Sequence, residues 1–216
     1  MSTPTLSRTE CNALRGLAII GIFLHNYCHW LGPIVKENEY QYIQRNVDWL
    51  HQIMAAPDGW LPMHLLSFFG HYGVPVFLFL SAYGLVLKYE SKPAFSIEAQ
   101  RISITGRHIP NIGENIRFIR YHYLKLFKMM IVGFVAFTML DYITPGPHHY
   151  QALDIIAMLG MFNNVLPNPD HIIWPGPFWF FGLMLQLYIV YRLIIYRRHW
   201  AFTVALMVAC LAIQLC

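Results

Sequence analysis

Apolar residues gather in six stretches along the chain, at 14–30, 65–87, 124–143, 152–166, 178–195 and 200–216, separated by polar or Pro/Gly-rich connections. A bilayer core about 30 Å thick takes roughly 20 apolar residues of helix. The stretches at 14–30, 65–87, 124–143 and 178–195 are therefore expected to span. The 152–166 stretch is short by that measure and is expected to form a re-entrant or buried half-span, which lipid tolerates only where protein or water covers the backbone. The last stretch stays apolar to the final residue, so the chain reads as the front part of something longer. The pattern predicts an all-α, polytopic transmembrane helical bundle of five to six membrane segments, with one candidate re-entrant segment. No internal repeat or second soluble domain stands out, and residues 1–216 read as one membrane domain.

In the linker at 31–64, Tyr40, Ile43, Val47, Leu50 and Met54 recur at three- and four-residue steps, the signature of an amphipathic helix. Trp49 and Tyr42 are placed to anchor it at an interface. The simpler expectation is a helix lying on the bilayer surface; a lid over a substrate mouth is the alternative.

Charge sets the orientation. Residues 88–128 hold eight basic side chains (Lys88, Lys92, Arg101, Arg107, Arg117, Arg120, Lys125 and Lys128). The 31–64 linker holds Lys36 and Arg45 against Glu37, Glu39, Asp48 and Asp58. Lys/Arg excess marks the cytoplasmic side, so the N-terminus and the 88–123 loop are expected inside and the 31–64 linker outside, with the chain integral to the cell (inner or cytoplasmic) membrane.

Composition narrows the class. Charged residues make up 12% and the apolar set 56%, with a net charge of only +4. Disorder would need the reverse balance, and no basic face is dense enough to track a nucleic acid. Cys11, Cys28, Cys210 and Cys216 have no CxxC or metal spacing and read as small hydrophobes.

Ionisable groups within a span are functional candidates by default. At about 100° per residue, Asn26 returns to within about 20° of Arg15, while His29 lies about 40° and His25 about 80° away. All three can border one cavity, and the helix does not choose between the histidines. A neutral imidazole is a competent general base for a hydroxyl, and Arg15 can hold an anionic phosphate. A structural His–Asn–Arg seam between helices is the equal alternative. Arg117, Arg120, Lys125 and Lys128 suit positive-inside topology and lipid contact, or a phosphate-binding rim. Ser81 is expected to bond to its own helix and Gln186 to a neighbouring helix. His148 and His149 are expected to be exposed, with no third ligand in view, and Asp141 and Asp154 to be solvated. Nothing suggests a metal.

Four blocks in order, NALRGLAIIGIFLHNYCHW, YGVPVFLFLSAYGLVL, RFIRYHYLKLFK and WPGPFWFFGLMLQLYIVYRL, together resemble the acyltransferase-3 family of integral-membrane acyltransferases and cover most of residues 12–196. The resemblance implies transfer of an acyl group, often acetyl, from a cytoplasmic coenzyme A thioester to a hydroxyl of a carbohydrate or other acceptor. Acetyl-CoA or another acyl-CoA would then be donor substrate, with no permanently bound cofactor. A carbohydrate or lipid-linked glycan would be the acceptor, beside membrane lipids and no nucleic acid. It makes His25 the catalytic candidate, with His29 as substitute, and Arg15, Arg117, Arg120 and Lys125 the donor-binding set. Three positions depart from the family pattern: Asn26 stands where the first-span His is expected, Met184 where a Glu is expected, and Ala82 where a Gly is expected. A transporter or flippase lined by the same polar residues, and a non-catalytic truncated relative, are the competing expectations.

Overall fold

The computed structural model describes residues 6–29, 31–37, 42–90, 111–174 and 176–215. Helices dominate, and no strand occurs among the described residues. The chain packs as two compact units, Met1–Leu85 and Val86–Cys216, taken in turn below.

The first unit opens with α1 (Arg8–His29). Its start is fixed by a capping box: the Ser7 hydroxyl accepts from the Glu10 N–H at 3.2 Å, and Glu10 accepts from the Ser7 N–H at 2.7 Å. Cys11, Ala18 and His25 recur every seven residues, with Cys28 three further on, and these four are the buried residues of α1. The helix thus turns one stripe inward and puts His25 on it. Asn26 points away and bonds back to the Ile22 carbonyl at 2.8 Å.

The amphipathic segment of the linker forms α2 (Gln44–Ala55). Ile43 caps it, Leu50 is buried, and Tyr42 and Met54 stay exposed; Tyr40 lies outside the described residues. Next come α3 (Leu61–Phe69), a 3-10 turn at Gly70–Tyr72, and α4 (Gly73–Tyr89), which together run as one apolar rod, Leu61–Tyr89.

Glycine brings α1 against this rod. A Cβ on Gly70 would lie 2.6 Å from the His25 Cβ and 2.7 Å from the Gly21 carbonyl oxygen. One on Gly73 would lie 2.8 Å from the Ile22 side chain. No larger residue fits at either point without moving the helices.

In the second unit, α5 (Ile112–Ile143) is capped by Asn111, whose side chain accepts from the Glu114 N–H at 2.8 Å. Phe118, His122, Leu126 and Met130 form its buried stripe at four-residue steps. The expected 124–143 segment therefore begins twelve residues earlier, because this stripe carries the helix through the basic region. After α6 (Ala152–Leu159) the chain turns in a Schellman motif: the Phe162 N–H donates to the Ala157 carbonyl at 2.9 Å and the Met161 N–H to Met158 at 2.9 Å. Met161 holds the left-handed position at φ 56 that usually falls to glycine, and it is buried. Eight helical residues reach only about 12 Å, well short of a bilayer core.

A short α7 (Pro169–Ile172) leads to α8 (Trp179–Val190), which widens into a π turn at Tyr191–Ile195 before α9 (Trp200–Leu215). Arg192, buried at that turn, donates to the Asn115 side chain at 2.8 Å. Among the described residues, Leu61–Tyr89, Ile112–Ile143 and Gly176–Ile195 are long and apolar enough to cross a bilayer, and Trp200–Gln214 is a shorter apolar helix. At 22 residues α1 is also long enough, but Arg8, Glu10, Asn12 and Arg15 make its first half polar.

Candidate active site

The site is built around His25. Its Nδ1 lies 2.7 Å from the main-chain oxygen of Ser67, in the last turn of α3, and its Nε2 lies 3.0 Å from Glu37 Oε1. The His71 Nδ1, from the 3-10 turn, meets the other Glu37 oxygen. Glu37 is thus held between two imidazoles, and its side chain is only 7% exposed. The ring of His29 lies 4.2 Å from that of His25, and the ring of Tyr72 lies 4.2 Å from that of His71.

A carboxylate reaches this position because its loop is tied down at several points. Ile34 and Val35 are fully buried. The Val35 N–H donates to His64 Nδ1 at 3.1 Å, and the Asn46 side chain donates to the Glu37 carbonyl at 2.8 Å. His64 is itself buried, with Nε2 3.5 Å from Asp58. A buried carboxylate needs such partners, since desolvating an unpaired charge costs several kcal/mol.

Chemically the trio is a proton-sharing centre. Both ring nitrogens of His25 face oxygen acceptors, so the ring that satisfies both carries two N–H protons. Glu37 then accepts from His25, and its other oxygen lies against His71 Nδ1. His25, Glu37 and His71 also offer three metal-type ligand atoms within 4.8 Å of one another, with the Ser67 carbonyl in the outer position common for a ligating His. The His25–Glu37 contact is at hydrogen-bonding distance, whereas His71 Nδ1 and Glu37 Oε2 touch without hydrogen-bond geometry, so the three residues also form a candidate metal-ligand set.

Arg15 lies on the same helix as His25. Its guanidinium donates to the Leu80 carbonyl at 2.7 Å and approaches the Asn12 side chain at 3.5 Å, so part of its donor capacity ties α1 to α4. Arg117, Arg120, Lys125 and Lys128 belong to the second unit. They are exposed on α5 and make no ion pair with another described residue. Lys92, Arg101 and Arg107 lie outside the described residues.

The remaining candidates resolve as follows. The Ser81 hydroxyl donates to its own helix at Phe77, 2.8 Å. Asn164 and Gln186 form a reciprocal amide pair at 3.0 and 3.2 Å, the helix-to-neighbour bond expected of Gln186. Asp154 caps α6 by accepting from the Gln151 N–H at 2.8 Å. Asp141 is not solvated: it is buried and accepts both the His148 N–H at 2.9 Å and His148 Nδ1 at 2.7 Å. The His148 ring stacks on Trp174 and Tyr150, and burial pushes the Tyr150 phenol up from its ordinary range.

Glu37 and His71 were not singled out by the sequence. Glu37 counted only as one of four acids in a linker, and His71 only as the one His of an apolar run. Both lie far from His25 along the chain, and only the return of the loop and the break after α3 join them.

A helical membrane protein with a carboxylate held between imidazoles beside its first helix is the class that fold and site define. The family model of the acyltransferase-3 family, an acyltransferase domain, matches residues 8–216. The chain belongs to that family of membrane acyltransferases. No curated protein and no solved structure matches the chain.

Proposed function

We propose that the chain transfers an acyl group, acetyl in the simplest case, from cytoplasmic acyl-CoA to a hydroxyl of a carbohydrate or cell-envelope acceptor. The observation that carries this reading is the His25–Glu37–His71 group, in which a buried carboxylate lies against two imidazoles, one buried and one partly exposed. Acyl transfer from a thioester to a hydroxyl needs such a base, because the hydroxyl must lose its proton as it attacks the carbonyl.

In this reading the N-terminus faces the cytoplasm, as the basic residues of 88–128 favour. Arg15 of the first unit and, taken by themselves, Arg117, Arg120 and Lys125 of the second each offer a guanidinium or ammonium suited to the phosphates of the donor. Transfer is direct, the acceptor oxygen attacking the thioester carbonyl and the coenzyme A thiolate leaving.

The test is thiol release from acetyl-CoA by membranes carrying the chain, with glycans added as acceptors. Release above background that is lost in His25→Ala, with the variant still inserted in the membrane, supports the proposal. No release above background from the wild-type chain overturns it and leaves a transporter as the reading.

A further inference from the structure

We propose that Asp141, His148, Tyr150 and Trp174 build a subsite for an uncharged pyranose ring, the place where a sugar acceptor is held; this rests on the acyltransferase reading above. The subsite lies wholly within the second unit. Asp141 stands near the C-terminal end of α5, and Arg120 near its start. The stretch of helix between them rises about 32 Å, roughly the thickness of a bilayer core. The basic entry of α5 and this subsite therefore occupy opposite ends of one long apolar helix, as a donor and an acceptor on opposite sides of a membrane need.

The local chemistry is that of an oriented imidazole. The turn at 144–147 brings the chain back to the helix end, with Gly146 in the left-handed region at φ 78. His148 then meets Asp141 twice. Its main-chain N–H donates to Oδ2 at 2.9 Å, and its Nδ1 lies 2.7 Å from Oδ1. The carboxylate side chain is 9% exposed and the imidazole 51%. With Nδ1–H given to the carboxylate, the lone pair of the neutral ring is on Nε2, which makes no hydrogen bond to another described residue. The ring plane lies within 15° of that of Trp174 and 6° of that of Tyr150. The Tyr150 hydroxyl accepts the Trp174 main-chain N–H at 3.4 Å, and Phe137 packs edge-on against Trp174.

A pyranose offers the matching groups. Its C–H face is attracted to the negative faces of aromatic rings, and a hydroxyl on its rim can donate to Nε2. An anionic ligand does not suit the place, because no Lys or Arg occurs between Lys128 and Arg192 and Asp141 adds negative charge. Trp and Tyr at a membrane interface also serve as anchors. An anchor, however, has no use for a carboxylate taken out of water to orient an exposed ring, a costly arrangement.

The full chain in nanodiscs with a panel of methyl pyranosides tests this, by saturation-transfer NMR and, with acetyl-CoA added, by thiol release. At least one pyranoside is expected to bind saturably at millimolar concentration. Trp174→Leu and His148→Ala should each weaken it by about tenfold or more, as for the loss of one ring or hydrogen-bond contact, with thermal stability held. Asp141→Asn, which leaves the imidazole in place but no longer fixes its tautomer, should weaken it less than His148→Ala. In turnover, Trp174→Leu and His148→Ala should raise KM for the pyranoside by the same factor, with kcat and KM for acetyl-CoA changed by less than about twofold. Trp200→Leu, at another exposed aromatic of this unit, should alter none of these. The proposal is overturned if no pyranoside of the panel binds the wild-type chain, or if both variants bind as the wild type does. It is also overturned if they change only stability or membrane insertion, which would make the rings an interfacial anchor. Bound sugar without thiol release defeats the acyltransferase reading instead and leaves the subsite standing.

Discussion

His25 and Gly70 face each other across the α1–α3 contact, with the His25 Cβ only 2.6 Å from where a Gly70 side chain would begin. That closeness lets the imidazole reach the Ser67 carbonyl and Glu37 at the same time. Gly70→Ala is therefore expected to part the two helices. The cost should be about 1–3 kcal/mol in stability, as for other insertions into tight packing, with acyl transfer falling further than stability because the proton-sharing group comes apart. Thermal unfolding and thiol release measured side by side test this. Gly32→Ala, with nothing within 4 Å of the added carbon, should change neither.

His64 acts on the same site from a distance. Its Nδ1 takes the buried N–H of Val35, two residues before Glu37. Truncation to Ala leaves that N–H without an acceptor in a closed environment, a loss of about 1–3 kcal/mol, and loosens the loop that presents the carboxylate. The expected outcome is a destabilised protein with reduced kcat and an unchanged KM for acetyl-CoA. Wild-type kcat in His64→Ala would mean that the loop is held by Ile34 and Asn46 alone.

How far the sequence foretold this arrangement depends on the length scale. The three long apolar helices and the short helix of 152–166 followed from apolar run length, since a bilayer imposes one dimension on any helix that crosses it, whereas the expected first span carries a polar first half. Periodicity also found α2, and the tendency of a helical Ser hydroxyl to bond to its own helix gave the bond of Ser81. It could not choose between His25 and His29, because angular spacing on an isolated helix does not reveal which face meets a partner; the seven-residue stripe of Cys11, Ala18 and His25 becomes meaningful only once Gly70 marks the contact. Asp141 was misread for a related reason. An acid at a helix end beside a Pro/Gly loop looks solvated until the loop folds back and delivers His148. Glu37 and His71 depended entirely on such a return of the chain.

In the second unit, Asn164 and Gln186 exchange two amide hydrogen bonds, at 3.0 and 3.2 Å. Changing either residue to Ala leaves the other amide half-buried and unpaired, so each single variant is expected to lose about 1 kcal/mol. The double variant should lose clearly less than the sum, a coupling of about 0.5–1.5 kcal/mol for two residues that share one interaction. Unfolding of the three variants in one detergent gives the cycle. Additive losses would show that the amides act separately.

The start of α1 should respond to pH through Glu10. Its hydrogen bonds with the backbone and the hydroxyl of Ser7 hold the carboxyl below its ordinary value of 4.5. A carboxyl depressed in the folded state stabilises that state above its unfolded value and stops doing so as pH falls through the folded one. The first turn of α1 is therefore expected to stay protected from amide exchange down to about that ordinary value and to fray progressively below it. Glu10→Gln keeps the chain length but not the charge, so its exchange should show no such step between neutral pH and the acid range. Because the residue is fully exposed, the effect should be local, visible at the Ser7 and Glu10 amides while the amides around His25 keep their protection. A step of equal size at both places would mean instead that acid opens the whole first unit together.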